Sequence, residues 1–282
     1  MTADSPVSAG AERRSAVQGF FTQHRGAWRT RYADTSFDAR NYRERANVAF
    51  AWLEQLPKGN GRLLELGCGA GVQAERAHQL GWQVTATDFT VSFLEQANRE
   101  FDGPSWVAAT AEDLPFAPGT FDVILMLGVI GYVGDPAVVL QRIRQLLAPG
   151  GHLVISWART GTLMESVSRV VSAIPDRMYM AAKRALGRGP APRTAEDDGF
   201  YVSYNRFWDR NAFMDELARA GFVPHAARGV NFGRFRFMEH AIWPERVDAI
   251  LSSALEGVTR VPGCARLGHL TRTHIALAQR TA

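Results

Sequence analysis

Three glycines and two carboxylates close together are the residues of this chain best placed to do chemistry. Residues 62–71 read Arg-Leu-Leu-Glu-Leu-Gly-Cys-Gly-Ala-Gly: an apolar run carries Glu65 near its end and breaks into a turn holding Gly67, Gly69 and Gly71. Glycine has no Cβ, so it reaches φ > 0 and lets a ligand lie against the main chain. Residues 72–80 follow with helical character, which turns free N–H groups and a positive dipole end toward the same crevice. The next apolar run, residues 83–87, ends at Asp88, and 88 − 67 = 21 residues is the interval at which a carboxylate grips ribose hydroxyls. A strand, a glycine turn, a helix and an acid in this order make a site for a nucleotide-type cofactor.

The spacing separates two cofactors. A dinucleotide fold uses G-x-G-x-x-G, the third glycine packing helix on strand beneath a pyrophosphate. Here the run is G-x-G-x-G, and the place of that third glycine is taken by Val72. Glu65, two residues ahead of the first glycine, suits a ligand carrying a cationic amine and a sulfonium. Ribose without pyrophosphate indicates S-adenosylmethionine, and a nicotinamide oxidoreductase stands as a competing reading.

Residues 65–71 look like the first motif of the class I S-adenosylmethionine-dependent methyltransferases, and further matches follow in order. Val84-Thr-Ala-Thr-Asp88 resembles the second strand with its ribose-binding acid, and Ala111-Glu-Asp-Leu-Pro-Phe116 resembles the segment lining the adenine. Phe121-Asp-Val-Ile-Leu-Met-Leu-Gly128 resembles the fourth strand, and Leu146-Leu-Ala-Pro-Gly-Gly-His-Leu-Val-Ile155 the turn into the fifth. The resemblance covers residues 45–160. It implies a doubly wound α/β fold, Rossmann-like, with a mostly parallel seven-stranded sheet, an N-terminal helical cap and a helical lid after the fifth strand. It also implies roles. Glu65 with the backbone of Gly67, Cys68, Gly69 and Gly71 would hold the methionine amine and carboxylate, and Asp88 the ribose. Phe89 would pack on the adenine, Ala111 and Glu112 (or Asp113 beside it) would meet its edge, and a carbonyl at Leu127 or Gly128 would accept from the amine. Tyr32, Tyr42 and Arg43, in the leader that closes over the cofactor in such enzymes, are candidates for its methionine end or simply cap a surface helix. Two departures stand out: Thr110 occupies a position that is acidic in many members, and no histidine follows Val129 where members often have one.

Composition agrees. With 282 residues, 46% of them hydrophobic, the chain can bury the core of one large domain. Its two cysteines, Cys68 and Cys264, are too few for a disulfide framework, which favours a reducing cytoplasm. No apolar run approaches a membrane span, and the leader lacks a signal core. The net charge of +4 is mild.

Strands are expected near 62–66, 83–88, 105–108, 121–127, 151–157, 222–229 and 273–279. Helices are expected near 72–80, 90–101, 136–147, 209–220 and 244–255. Strands alternating with helices predict a parallel sheet with ligands at the strand C-terminal ends. The expected organisation is a tail and cap helices over 1–44, with residues 1–14 unstructured; a cofactor-binding core over 45–159; a lid over 160–208; and over 209–282 the rest of the core, with a helical insertion between the last two strands.

Methyl transfer disperses charge instead of creating it, so holding two reactants in near-attack geometry supplies most of the rate. Base candidates are accordingly few: His240, Tyr132 and Tyr204, with Tyr201 nearby. Tyr132 lines the site, stacks on an acceptor or merely packs. No histidine, cysteine or carboxylate cluster has metal-ligand spacing, so no metal is expected. No nucleic-acid module is visible, which leaves a small, apolar metabolite as acceptor, of secondary-metabolite, quinone, porphyrin or lipid type. The basic, methionine-containing lid suits contact with an anionic membrane surface or packs on the sheet. A fold relative that binds the cofactor without transferring methyl stays open, as does the oligomeric state.

Overall fold

The computed structural model describes residues 6–23, 37–159, 162–163, 166–167, 170, 205–233, 236–237, 240–241, 244–259, 261 and 264–281. Nine strands are described: β1 (Arg62–Leu66), β2 (Gln83–Asp88), β3 (Ser105–Ala108), β4 (Phe121–Leu127), β5 (Leu147–Ala158), β6 (Phe222–Val230), β7 (Arg236–Phe237), β8 (His240–Ala241) and β9 (Thr273–Arg280). The α-helices among the described residues are α1 (Pro6–Gln23), α2 (Phe37–Leu53), α3 (Val72–Gln79), α4 (Val91–Glu100), α5 (Pro136–Leu146), α6 (Arg210–Arg219) and α7 (Glu245–Val258), joined by a 3-10 turn at Ala265–Leu270.

Seven strands form one sheet in the order β3-β2-β1-β4-β5-β9-β6. β3, β2, β1, β4 and β5 pair in parallel, while β9 runs antiparallel to both its neighbours. This is the mostly parallel, doubly wound sheet expected from the sequence. Chain order runs outward from β1 to β3, then returns to the other side of β1 at β4. The C-terminal tips of β1, β2 and β4 therefore border one crevice at the point of reversal.

Side chains alternate faces along each strand, and the core divides accordingly. Leu64, Leu66, Ile124, Met126 and Ile155 pack with α5 and α6 on one face. Leu63, Val123, Leu125, Val84, Ala86 and Val154 pack on the other with α2 and α3, around Phe50 and Trp82. Glu65 has the parity of Leu63 and so points to the α2–α3 side. Asp135 and Asp209 cap α5 and α6, accepting from the N–H groups of Ala137 and Asn211 at 2.9 and 3.2 Å.

Three features differ from the sequence expectation. α1 begins at Pro6, inside the stretch expected to be unstructured; its Ala9, Ala11, Glu12, Arg13 and Arg14 are good helix formers, and propensity outweighs small, polar composition there. β5 starts at Leu147, where Leu147 pairs with Phe121 before a register shift brings His152 opposite Val123. The Pro149-Gly150-Gly151 turn is thus an irregularity within the strand rather than its start. The ribbon β7–β8 stands apart from the main sheet and was not expected. Most of the expected lid, with Tyr201 and Tyr204, and also Tyr32, lies outside the described residues. Among the described residues no helix is long and apolar enough to cross a membrane.

Candidate functional site

At the tip of β1 the chain turns through Gly67, Gly69 and Gly71, with φ of 68°, 51° and 77°. All three lie in the left-handed region that glycine reaches without strain, but their surroundings differ. A Cβ on Gly67 would stand 2.4 Å from Val129 Cγ2, and one on Gly71 would stand 2.7 Å from Trp106 and 2.9 Å from Ala97. Those two glycines are needed for packing. A Cβ on Gly69 would meet nothing within 4 Å, so this peptide faces open space. Cys68 between them is buried and packs in the α2–α3 core. Burial, and then the charges of Glu65 and Asp88, push its thiol well above the usual range, so it is a poor nucleophile.

Two carboxyl groups stand at the strand tips near this turn, and one of them, Asp88, accepts from the open glycine. Asp88, at the tip of β2, is buried, with Oδ2 accepting from the Gly69 N–H at 2.9 Å and Oδ1 from the Thr90 N–H at 2.8 Å. Burial raises its pKa and these two bonds pull it back. Each oxygen keeps a free lone pair, enough to accept from a diol. Glu65 is only 4% exposed. Burial, and then the charge of Asp88, push it up to about 8, against the pull of Arg45 and of the Ala74 N–H. Its Oε2 is buried with no hydrogen-bond partner. A buried, unsatisfied carboxylate oxygen is costly, and a cationic group in the crevice would satisfy it.

Arg45 of α2 is the residue the sequence reading missed. It is 7% exposed, with a buried, unpartnered Nε. Its guanidinium lies over the Tyr42 ring at 5.2 Å, and its Nη1 stands 2.3 Å from where a Cβ on Gly128 would be. Gly128, at the end of β4, takes φ 74° and donates to Ser156 Oγ at 2.9 Å. Tyr42 was singled out, and Arg45 lies three residues further on the same helical face; that spacing was the available signal. A buried guanidinium and a buried carboxyl group near the glycine turn suit the carboxylate and amine of an amino acid, the carboxyl giving up its proton as the amine arrives.

The remaining candidates divide. Phe89 and Tyr132 are brought together by α1: the Phe21 ring meets Phe89 edge-on at 6.4 Å and Tyr132 at 5.4 Å, while Gln18 donates to the Phe89 carbonyl at 3.1 Å. Leu127 is buried at the β4 tip. Ala111 packs against the α5–α6 core. Glu112 turns its Oε1 to the Gly134 N–H at 2.8 Å, tying this segment to the loop after β4, whereas Asp113 is exposed. His240 stands in β8, outside the main sheet, and Tyr204 lies outside the described residues. The described histidine with the largest shift is His274, stacked on Trp157 at 5.4 Å; burial and the nearby Arg210 and Arg159 push it down to about 3, too weak a base to use at neutral pH. Among the described residues no group of three or more His, Cys, Asp or Glu is placed to hold a metal ion.

Comparison with known proteins places this geometry. Residues 64–155 match the family model described as a methyltransferase domain. The ubiquinone biosynthesis O-methyltransferase of Cereibacter sphaeroides is 39% identical over 177 residues, which cover 60% of this chain and 66% of that protein. The biotin biosynthesis bifunctional protein BioHC of Cellvibrio japonicus is 27% identical over 196 residues, covering 66% of this chain and 38% of that protein. The chain thus spans less than two thirds of the length of either relative. Among solved structures, magnesium protoporphyrin IX methyltransferase from Synechocystis superposes with a TM-score of 0.58 at 15% identity, covering 95% of this chain and all of that one (100%). The 1,6-didemethyltoxoflavin-N1-methyltransferase of Burkholderia thailandensis gives 0.56 at 18% identity, covering 99% and 94%; these two are likenesses of fold. The family model begins in β1 and ends in β5, spanning the glycine turn and Asp88, and the chain belongs to the class I S-adenosylmethionine-dependent methyltransferase superfamily, whose cofactor is S-adenosyl-L-methionine.

Proposed function

We propose that the chain transfers the methyl group of S-adenosylmethionine to an O, N or C nucleophile of a small, apolar metabolite. The observation that carries the reading is the buried, unpartnered Glu65 oxygen close to Asp88, which in turn accepts from the open peptide of Gly69. Glu65 would take the amine, Arg45 the carboxylate, and Asp88 the ribose diol, with Phe89, Ala111 and Glu112 on the adenine side. When bound, the cofactor would supply a methyl group on a sulfonium, from which a nucleophile in line with the C–S bond would take the methyl while the neutral thioether, S-adenosylhomocysteine, leaves. The chain's own tasks are then to orient, to exclude water and to align the acceptor. Phe21 and Tyr132 would offer an aromatic surface for that acceptor. An amine or carbon nucleophile would need little help from a base, its proton passing to solvent, and for a hydroxyl Tyr132, Tyr204 and His240 are the candidates. The relative named for ubiquinone biosynthesis supports a small, apolar acceptor. The fold neighbours named for magnesium protoporphyrin IX and 1,6-didemethyltoxoflavin support a small-molecule acceptor without fixing its polarity.

The test has two arms. S-adenosylhomocysteine should raise the melting temperature and NAD should not, since only a ligand of the native state stabilises it. Labelled methyl should then pass to a quinol, porphyrin or polyketide phenol. Binding without turnover across these acceptors would favour a relative that does not transfer methyl.

A further inference from the structure

Helix α2 presents different residues to two neighbours. Tyr42 and Arg45 share the face toward the glycine turn, while Arg40, Glu44, Asn47 and Ala51 share the opposite one. That second face borders a cavity of about 360 Å³ whose other wall includes Arg228 of β6 and Ser253 and Glu256 of α7.

Polar contacts cross this boundary. The Arg40 guanidinium donates to Glu44, to the Ala249 carbonyl and to the Ser253 hydroxyl. Glu256 is anchored from its own side: Oε1 accepts from the Asn231 N–H at 3.0 Å and from the Ser252 hydroxyl at 3.1 Å. Asn231, just past the end of β6, holds φ 65°, a left-handed value that asparagine tolerates, and its Oδ1 accepts from the Gly233 N–H at 2.8 Å, so the anchor stands at a tied turn. Glu44 and Glu256 line the same cavity, the charge of Glu256 acts on the Glu44 carboxyl, and Glu44 Oε2 is buried with no donor. Two carboxylates cannot bond each other, since neither donates; one proton between them makes the bond.

We infer that Glu44 is a positioning residue for the cofactor site: as a carboxylic acid bonded to Glu256 it fixes α2 on α7, and through the helix it holds Tyr42 and Arg45 against the glycine turn. The inference rests on the reading that this turn holds the S-adenosyl group.

Glu44 then gives cofactor retention a pH dependence. Burial and the facing Glu256 push it from 4.5 to about 7, against the pull of Arg40. The charged groups that line the cavity with it, among the described residues, are Arg40 on its own helix, Glu256 on α7 and Arg228 on β6. A carboxyl whose folded pKa is raised contributes fully below its unfolded pKa, and the contribution is lost as pH rises through the folded one. The clasp is therefore whole in acid and opens through pH of about 7.

The experiment measures the dissociation constant of S-adenosylhomocysteine by calorimetry on the full chain at pH 6, 7 and 8.5, for the wild type, Glu44→Gln and Glu44→Ala. Glutamine donates to Glu256 at every pH, so Glu44→Gln should match the wild type within about twofold at pH 6 and bind roughly three- to tenfold more tightly than it at pH 8.5. Glu44→Ala should bind more weakly than Glu44→Gln throughout. The titration of Glu65 is common to all three and cancels in the ratios. A wild-type to Glu44→Gln ratio that stays constant with pH overturns the inference while leaving the cofactor reading intact. No binding by the wild type at any pH overturns that reading and the inference with it. Glu44→Gln carries the test even where Glu44→Ala fails to fold.

Discussion

Glu65 with Asp88 at the strand tips, and Glu44 with Glu256 between α2 and α7, are both pairs of carboxyl groups drawn out of water with an arginine close by. Their surroundings set them apart. Asp88 takes two backbone N–H groups, one of them from the open Gly69 peptide, and Glu65 keeps a buried oxygen with no partner. Glu44 faces another acid that is itself tied to Asn231 and Ser252, so a single proton can satisfy the pair. The first pair lacks a cation that only a ligand can bring, and the second lacks a proton that solvent supplies. On the proposed reading, raised carboxyl pKa values mark two different things here, a binding site and a clasp that holds one of its walls. They also act oppositely on binding: ionising Glu65 helps it, and ionising Glu44 loosens it.

Asp88→Ala should break the first pair most severely. It removes both the diol's acceptor and the partner of the Gly69 N–H, and losing charged hydrogen bonds of ~1.5–3 kcal/mol weakens S-adenosylhomocysteine binding by about 10- to 150-fold. An unchanged dissociation constant in calorimetry would remove Asp88 from the site.

Glu65→Gln should separate stability from binding. Glu65 titrates near 8 in the free protein and 4.5 when unfolded, so its share of stability is whole below about 4.5 and is lost as pH rises to about 8. The free wild type should therefore melt at falling temperature across that window, and Glu65→Gln should melt with a flatter profile. The same variant should bind S-adenosylhomocysteine roughly tenfold more weakly, the equivalent of about 1.4 kcal/mol. Wild-type binding at pH 7 should release protons, seen as a heat that depends on the ionisation enthalpy of the buffer; a heat independent of buffer would count against Glu65 as the amine's partner.

The smallest effect should come from comparing glycines within the turn. Gly67→Ala forces a Cβ to within 2.4 Å of Val129 and should mainly lower the melting temperature. Gly69→Ala meets no neighbour, so its stability cost should be limited to a strained φ, roughly 1 kcal/mol, while ligand affinity falls several-fold. Equal ratios of stability loss to affinity loss in the two variants would erase the distinction between packing glycine and cradle glycine.

Much of the fold could be read from residue order. β1, the glycine turn and Asp88 fall where apolar runs and glycines placed them, because a strand followed by a turn and helix is a local pattern. β5 was misread at its start because Pro149-Gly150-Gly151 has the composition of a turn, and only pairing with β4 shows that the strand runs through it. Arg45 escaped notice because arginines on helices usually face water; its burial depends on the tip of β4, more than eighty positions away. Glu44 and Glu256 lie 212 positions apart (256 − 44), and no local pattern connects them.

By itself the sequence determined the order of the seven main-sheet strands and the helices between them, the left-handed turn that needs glycine, and the acids at the ends of β1 and β2. These follow from periodicity, φ restrictions and short spacings. Tertiary structure alone decided which glycine faces open space, which carboxylate oxygen is left without a partner, and that α2 carries a cation to one neighbour and an acid to another. Desolvation and pairing depend on what distant segments bring alongside, and the chain acquires those neighbours only by folding.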